Sequence, residues 1–208
     1  KLGMNSFRFG IEWSRIEPKP GKWDKSAIDH YKKYITDCKL AGIEPIVSLW
    51  HWTMPVWFTN KGGLEKRSNL AYWRRYIQKI ATELDWSDVT YVLTINEANT
   101  YSGFGYKTGE WPPQHKSGWQ TLKVYYNLAL AHRIAVRTLK EQHGHLLFGA
   151  AHQCNHVVAT RKNNITDRLM VWIQKYYWNW WYLNRINRTQ DFVGINFYFT
   201  DYRKGYSL

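Results

Sequence analysis

Five short apolar or β-branched runs along the chain end on polar residues whose types could do chemistry. The clearest is YVLTINEANT, residues 91 to 100, where Asn96 and Glu97 follow directly on a strand-like stretch. A carboxylate is unwelcome at the edge of a core unless it is paired or handles a proton. Taken alone, Glu97 reads as a cap for the next helix or a partner for a lysine. It does not stand alone. Glu12 and Arg15, His51 and Trp52, Asn155, and Asn196 with Tyr198 sit at the ends of the other runs. Two acids, an imidazole, amides, a guanidinium group and a phenol are thus spread over several strand ends, and acid–base work draws on such groups.

The elements that must position them are strand candidates over 6–13, 44–50, 89–95, 145–151 and 191–199, each bounded by Gly, Pro, Asn or Asp. Helical spacing fills the gaps. Residues 26–42 place Ile28, Tyr31, Ile35 and Cys38 three and four apart and close on Gly42. Residues 68–84 start on a Ser68 or Asn69 cap and repeat Trp73, Ile77, Ile80 and Leu84. Two longer helices are expected over 119–144, ended by Gly144, and over 165–187. Strict alternation of strand and helix predicts parallel strands joined by right-handed crossovers. The strands read as near-continuous apolar runs, as expected when both faces are covered.

An open doubly wound sheet and an arc of a (β/α)8 barrel both satisfy this pattern. No G-x-G-x-x-G follows any strand, which removes the dinucleotide-binding form of the first. Polar residues at the C-terminal ends of many strands are the barrel habit. The expected class is therefore α/β, a partial (β/α)8 barrel of five parallel strands. Residues 1–208 are read as one incomplete barrel domain.

Bulk properties exclude more than they select. A length of 208 residues suits one sizeable core. With 44% hydrophobic and 22% charged residues the chain is globular in composition. Aromatics reach 17%, which fits interfaces, base stacking or sugar stacking without choosing among them. Against 16 acidic residues stand 29 Lys and Arg, a net charge of +13. The basic residues are dispersed and no nucleic-acid signature accompanies them, so they read as solvated helix faces and no nucleic-acid partner is expected. Cys38 and Cys154 have neither metal nor redox spacing; two free thiols fit a cytoplasmic protein, and one disulfide is the alternative. No apolar run of about 18 residues exists, so no membrane span is expected. The aromatic segment 172–183 is interrupted by Gln174, Lys175 and Asn179 and reads as outer-layer packing.

Read in order, FRFGIEWSRIEP, GIEPIVSLWHWTMPVWF with NKGG behind it, LTINEANTY, GEWPP and DFVGINFYFTDY resemble glycoside hydrolase family 1, the β-glucosidase family. The resemblance covers strands two to six of eight. It implies hydrolysis of β-linked glycosides with retention of configuration, on a (β/α)8 barrel and without a cofactor or metal. Glu97 matches the family's general acid/base, which must hold a proton near neutral pH and is helped to do so by an apolar setting. Ala98 stands where the family usually has Pro. The resemblance further carries Asn96 to the contact with the sugar 2-hydroxyl, and His51, Trp52 and Asn196 to the substrate pocket. Arg8 and Tyr198 match positions flanking the nucleophile carboxylate, Tyr198 also counting as pocket-lining. Trp111, in GEWPP, is expected along the channel.

A retaining mechanism needs a second carboxylate about 5–5.5 Å from the acid. The family's I/V-T-E-N-G motif, which carries it, does not occur in these residues. Asp201 and Glu12 are the plausible neighbours, and neither matches a nucleophile position. The expectation is an internal piece of a longer enzyme, or one completed by a complementary chain or by self-association through open barrel edges, and inactive by itself. The alternative is a non-catalytic truncated barrel that binds sugar.

Overall fold

The computed structural model describes residues 3–205. Five strands form one parallel sheet in the order β1-β2-β3-β4-β5, namely Ser6–Gly10, Glu44–Ser48, Tyr91–Asn96, Leu147–Ala159 and Phe192–Arg203. Every strand lies beside its sequence neighbour, without the reversal of order that marks a doubly wound sheet. This is an arc of a (β/α)8 barrel, with helices on the convex side.

The helices are α1 Trp13–Ile16, α2 Lys25–Leu40, α3 Val56–Asn60, α4 Leu70–Glu83, α5 Ala98–Ser102, α6 Gly118–Lys140, α7 Ile165–Gln174 and α8 Trp181–Ile186. Short polar side chains start the long ones. Asp24 accepts from the Ala27 amide at 3.0 Å, and Asn164 accepts from Asp167 at 3.0 Å. Gly42, at φ +69°, supplies the left-handed exit after α2. The expected cap of α4 is not made. Asn69 instead donates to the carbonyls of Lys61 and Gly63 at 3.1 and 2.9 Å, pinning the loop ahead of the helix.

The core lies between sheet and helices. Val47, Leu49, Val92 and Phe148 are fully buried, as are Trp73, Tyr76, Ile77 and Ile80 of α4 and Leu128, Ala131 and Ala135 of α6. Burying each large apolar side chain contributes about 1.5–3 kcal/mol, so this layer dominates the stability of the arc. Trp13 stacks on Tyr76 with ring centroids 4.9 Å apart. The buried carboxylate of Glu17 accepts from Trp13 Nε1 at 2.9 Å and from the Gly21 amide at 2.7 Å, and pairs with Arg75. At Gly149 a Cβ would come within 2.6 Å of the Phe192 carbonyl, so a side chain there would force β4 and β5 apart.

Several sequence-based boundaries move. β1 stops at Gly10 because Glu12 already flanks α1. β4 and β5 run on to Ala159 and Arg203, past a register shift between Cys154 and His156. The helix expected over 165–187 is broken into α7 and α8 by a wide π-type turn, Lys175–Trp180. There the Trp178 carbonyl accepts from His152 Nε2 and Asn99 Nδ2, which draws it out of the helical ladder. Within the aromatic segment Tyr182 is fully buried, whereas Trp172 is 65% exposed. The outward face of β5 is not covered either: Ile195 and Phe197 are mostly exposed. Both cysteines are free thiols. Among the described residues no helix is long and apolar enough to cross a membrane.

Candidate active site

Asn96 and Glu97 are consecutive, and in a regular strand their side chains would point to opposite faces. Here the β3–β4 register shifts between Leu93 and Asn96. The Asn96 amide donates to the Trp50 carbonyl on one side at 3.1 Å, and the Glu97 amide donates to the Ala151 carbonyl on the other at 2.7 Å. Glu97 then adopts φ +44°, ψ +61°, a left-handed conformation costing a non-glycine residue roughly 1–2 kcal/mol. The irregular step turns both side chains onto the concave rim.

Glu97 is only 4% exposed. Its Oε1 accepts from Asn196 Nδ2 at 2.5 Å and from the Tyr198 hydroxyl at 3.4 Å, both reaching across from β5. Among the described residues nothing donates to Oε2. Asn96 is also buried, and its Oδ1 accepts from Arg8 Nη2 at 2.5 Å. Arg8 is steadied in turn by donation from Nε to Ser48 Oγ at 3.0 Å. The Asn96 carbonyl accepts from Trp52 Nε1 at 3.0 Å. Trp52 itself is left-handed, at φ +74°, a second strained non-glycine residue on the same rim.

Four strands therefore meet: Arg8 from β1, Ser48 from β2, Asn96 from β3 with Glu97 just beyond it, Asn196 and Tyr198 from β5. Desolvation lowers the Arg8 pKa, opposed by the charges of Glu97 and Tyr198. Desolvation first and the Glu97 carboxylate second raise the Tyr198 phenol above its ordinary value. His51 is lowered by desolvation and then by Arg8. Its exposed ring meets Trp52 edge-on at 4.8 Å. Beyond Trp52 the wall continues through Trp111 and Phe104, with centroid spacings of 4.8 and 4.9 Å. Such a wall presents flat apolar faces beside a polar rim, the combination that suits a sugar ring.

Tyr198, matched in sequence to a position beside the nucleophile, contacts the carboxylate of Glu97 in this arrangement. No sequence motif marks Ser48 as a site residue, although it follows Arg8's register partner Ile46 by two residues and so shares its face. Other polar residues at strand ends lie elsewhere. Glu12 accepts from Thr53 Oγ1 at 2.6 Å and from Ser14 at 3.4 Å, and Arg15 lies over the Tyr31 ring. Asn155 is buried within β4 and donates to Asp201 Oδ2 at 2.8 Å, where Gln174 also donates. Both carboxylates considered as stand-ins for a nucleophile are thus engaged. Among the described residues no group of three His, Cys, Asp or Glu could hold a metal ion.

The glycosyl hydrolase family 1 model matches residues 1–188. Over 143 residues the chain is 33% identical to β-glucosidase A of Acetivibrio thermocellus, which covers 68% of this chain and 32% of that protein. It is 31% identical over 147 residues to a 6-phospho-β-galactosidase of Leptotrichia buccalis, covering 70% and 31%. A solved β-glycosidase from Pyrococcus horikoshii superposes with a TM-score of 0.86 at 33% identity, over 93% of this chain and 48% of that one. The chain spans about a third of the length of these curated relatives and about half of the structural one.

Proposed function

The chain belongs to glycosyl hydrolase family 1, and from that premise we propose that it supplies the acid/base half of a retaining β-glycosidase site, with Glu97 as the proton donor. One observation carries the reading. Asn196 and Tyr198 both occupy Oε1 of a buried carboxyl, and Oε2 accepts from neither. A proton placed on Oε2 faces no competing donor. It can pass to the glycosidic oxygen as the bond from that oxygen to the anomeric carbon breaks. The ionised carboxylate then takes a proton from the water that releases the sugar. Asn96 donates from Nδ2 to the sugar 2-hydroxyl, its Oδ1 being held by Arg8. Trp52 and Trp111 provide the stacking wall, with His51 at its margin.

The substrate is a β-linked glycoside, the class shared by the names of the relatives. The nucleophile is a carboxylate outside these 208 residues, on further polypeptide or on a complementary chain. A second reading, sugar binding without chemistry, draws on the same fact that Asp201 and Glu12 are otherwise engaged.

The 208-residue chain is expected to bind cellobiose in calorimetry without turning over a p-nitrophenyl β-glucoside. A longer polypeptide containing the partner carboxylate should hydrolyse it and release the β-anomer first, as proton NMR would record. Release of the α-anomer would overturn the retaining scheme. Binding without turnover by the longer form would favour the non-catalytic reading.

A further inference from the structure

A different kind of surface lies on the convex side, with the helical layer between it and Glu97. α4 and α6 pack side by side, joined by Trp73 Nε1 donating to the Ala131 carbonyl at 2.9 Å. Between their outer faces runs a groove of about 580 Å³ whose walls include Arg67, Arg74, Arg133 and Arg137, with Glu141 as the sole acid among the described residues that line it. Four guanidiniums against one carboxylate leave a local charge of +3.

Three arginines elsewhere in the fold are satisfied: Arg8 by Asn96, Arg75 by Glu17, Arg161 by Asp167. In the groove Arg133 is partly buried and donates to the Arg185 carbonyl, which fixes its position without neutralising it. Arg67, Arg74 and Arg137 are exposed. Among the described residues no carboxylate pairs with any of the three. Arg133 and Arg137 are four residues apart on one helix, where like charges repel. Repulsion gathered in a concave surface is relieved by a bound anion.

We propose that this groove binds a compact polyphosphate. Planar guanidinium forks match phosphate oxygens in pairs, and arginines converging from two helices can grip several phosphates at once. The volume falls in the range of small-molecule sites, roughly 300–1,000 Å³. Its apolar floor of Leu70, Leu130 and Ile134 carries no aromatic ring on which a base could stack. That disfavours single-stranded nucleic acid, and the groove ends with the helices instead of tracking a long backbone.

The test is titration of the protein with inorganic tripolyphosphate at low salt, by calorimetry and by melting temperature. One-to-one binding that weakens steeply with added salt is expected. The double variant Arg74→Ala/Arg137→Ala should lose roughly 100-fold in affinity. Both residues are exposed, so its melting temperature without ligand should stay unchanged. Arg74→Lys/Arg137→Lys keeps the charge without the forks and should fall between the two. Glu97→Gln should bind tripolyphosphate like the wild type, which separates this site from the glycosidase reading. Absence of saturable binding, equal binding by the alanine variant, or tighter binding of a short DNA duplex than of tripolyphosphate would each overturn the proposal.

Discussion

Glu97→Gln, made in the polypeptide that carries the partner carboxylate, is expected to slow hydrolysis of cellobiose by roughly 10²–10⁴. Glutamine keeps the size of the side chain and an oxygen able to accept from Asn196 and Tyr198, so the rim should hold its shape. What it removes is the exchangeable proton. An alkoxide leaving group needs that proton, whereas a dinitrophenolate hardly does. With a dinitrophenyl glycoside the first step should therefore survive and the second should stall, because water then lacks a base. Azide needs none. Its addition should restore turnover and yield a glycosyl azide detectable by mass spectrometry. Full activity of the variant on cellobiose would remove Glu97 from the chemistry.

A second large effect concerns stability in mild acid. His132 and His152 are fully buried, and burial lowers each from 6.5 to about 4. Thr94 Oγ1 lies 2.6 Å from Nδ1 of His132, and its Nε2 donates to the Thr189 carbonyl at 3.3 Å. Arg133 disfavours its cation further, with Asp191 weakly opposing. His152 donates from Nε2 to Trp178 and stacks on Tyr182, while its Nδ1 has no partner. Protonation there would bury a charged donor with nothing to receive it.

Between pH 6.5 and 4 the unfolded chain thus holds up to two protons that the folded one refuses. The stabilisation is complete above about 6.5 and is lost as pH falls through this window, on the order of 3 kcal/mol for each ring by pH 4. Of the carboxylates, Asp24, Glu44, Glu83, Asp85 and Asp167 are shifted downward, so their contributions fade only at lower pH, outside most of this window. Urea midpoints at pH 7, 5.5 and 4.5 should fall in order, and His152→Gln should flatten the trend by about half. A midpoint unchanged from pH 7 to 4.5 would show that the rings are not held neutral.

The parts of this molecule written in local pattern were legible. Val47, Val92 and Thr94 are apolar or β-branched because helices cover their outward face, and alternation with amphipathic helices leaves few topologies. The ends of β4 and β5 were not legible, because past Cys154 the ladder resumes only after a register shift, which side-chain contacts such as Asn155 with Asp201 and Asn155 with Asn179 accompany. Periodicity does not register such pairs. The break at 175–180 was hidden for a related reason: its cause, His152 and Asn99 capturing one carbonyl, lies in other elements. In the site, motif order pointed to Arg8, His51, Trp52, Asn96, Glu97, Asn196 and Tyr198. Which of them touch depends on the register shift in β3, and that is a property of three strands at once.

The left-handed backbone at residue 97 sets a trap for anyone improving this scaffold by heat selection. Glycine or asparagine would sit in that conformation more comfortably than glutamate, and neither would need its charge taken out of water. A library ranked by survival alone would drift towards hardier proteins that have lost their acid. Any such campaign has to count product as well as folded molecules.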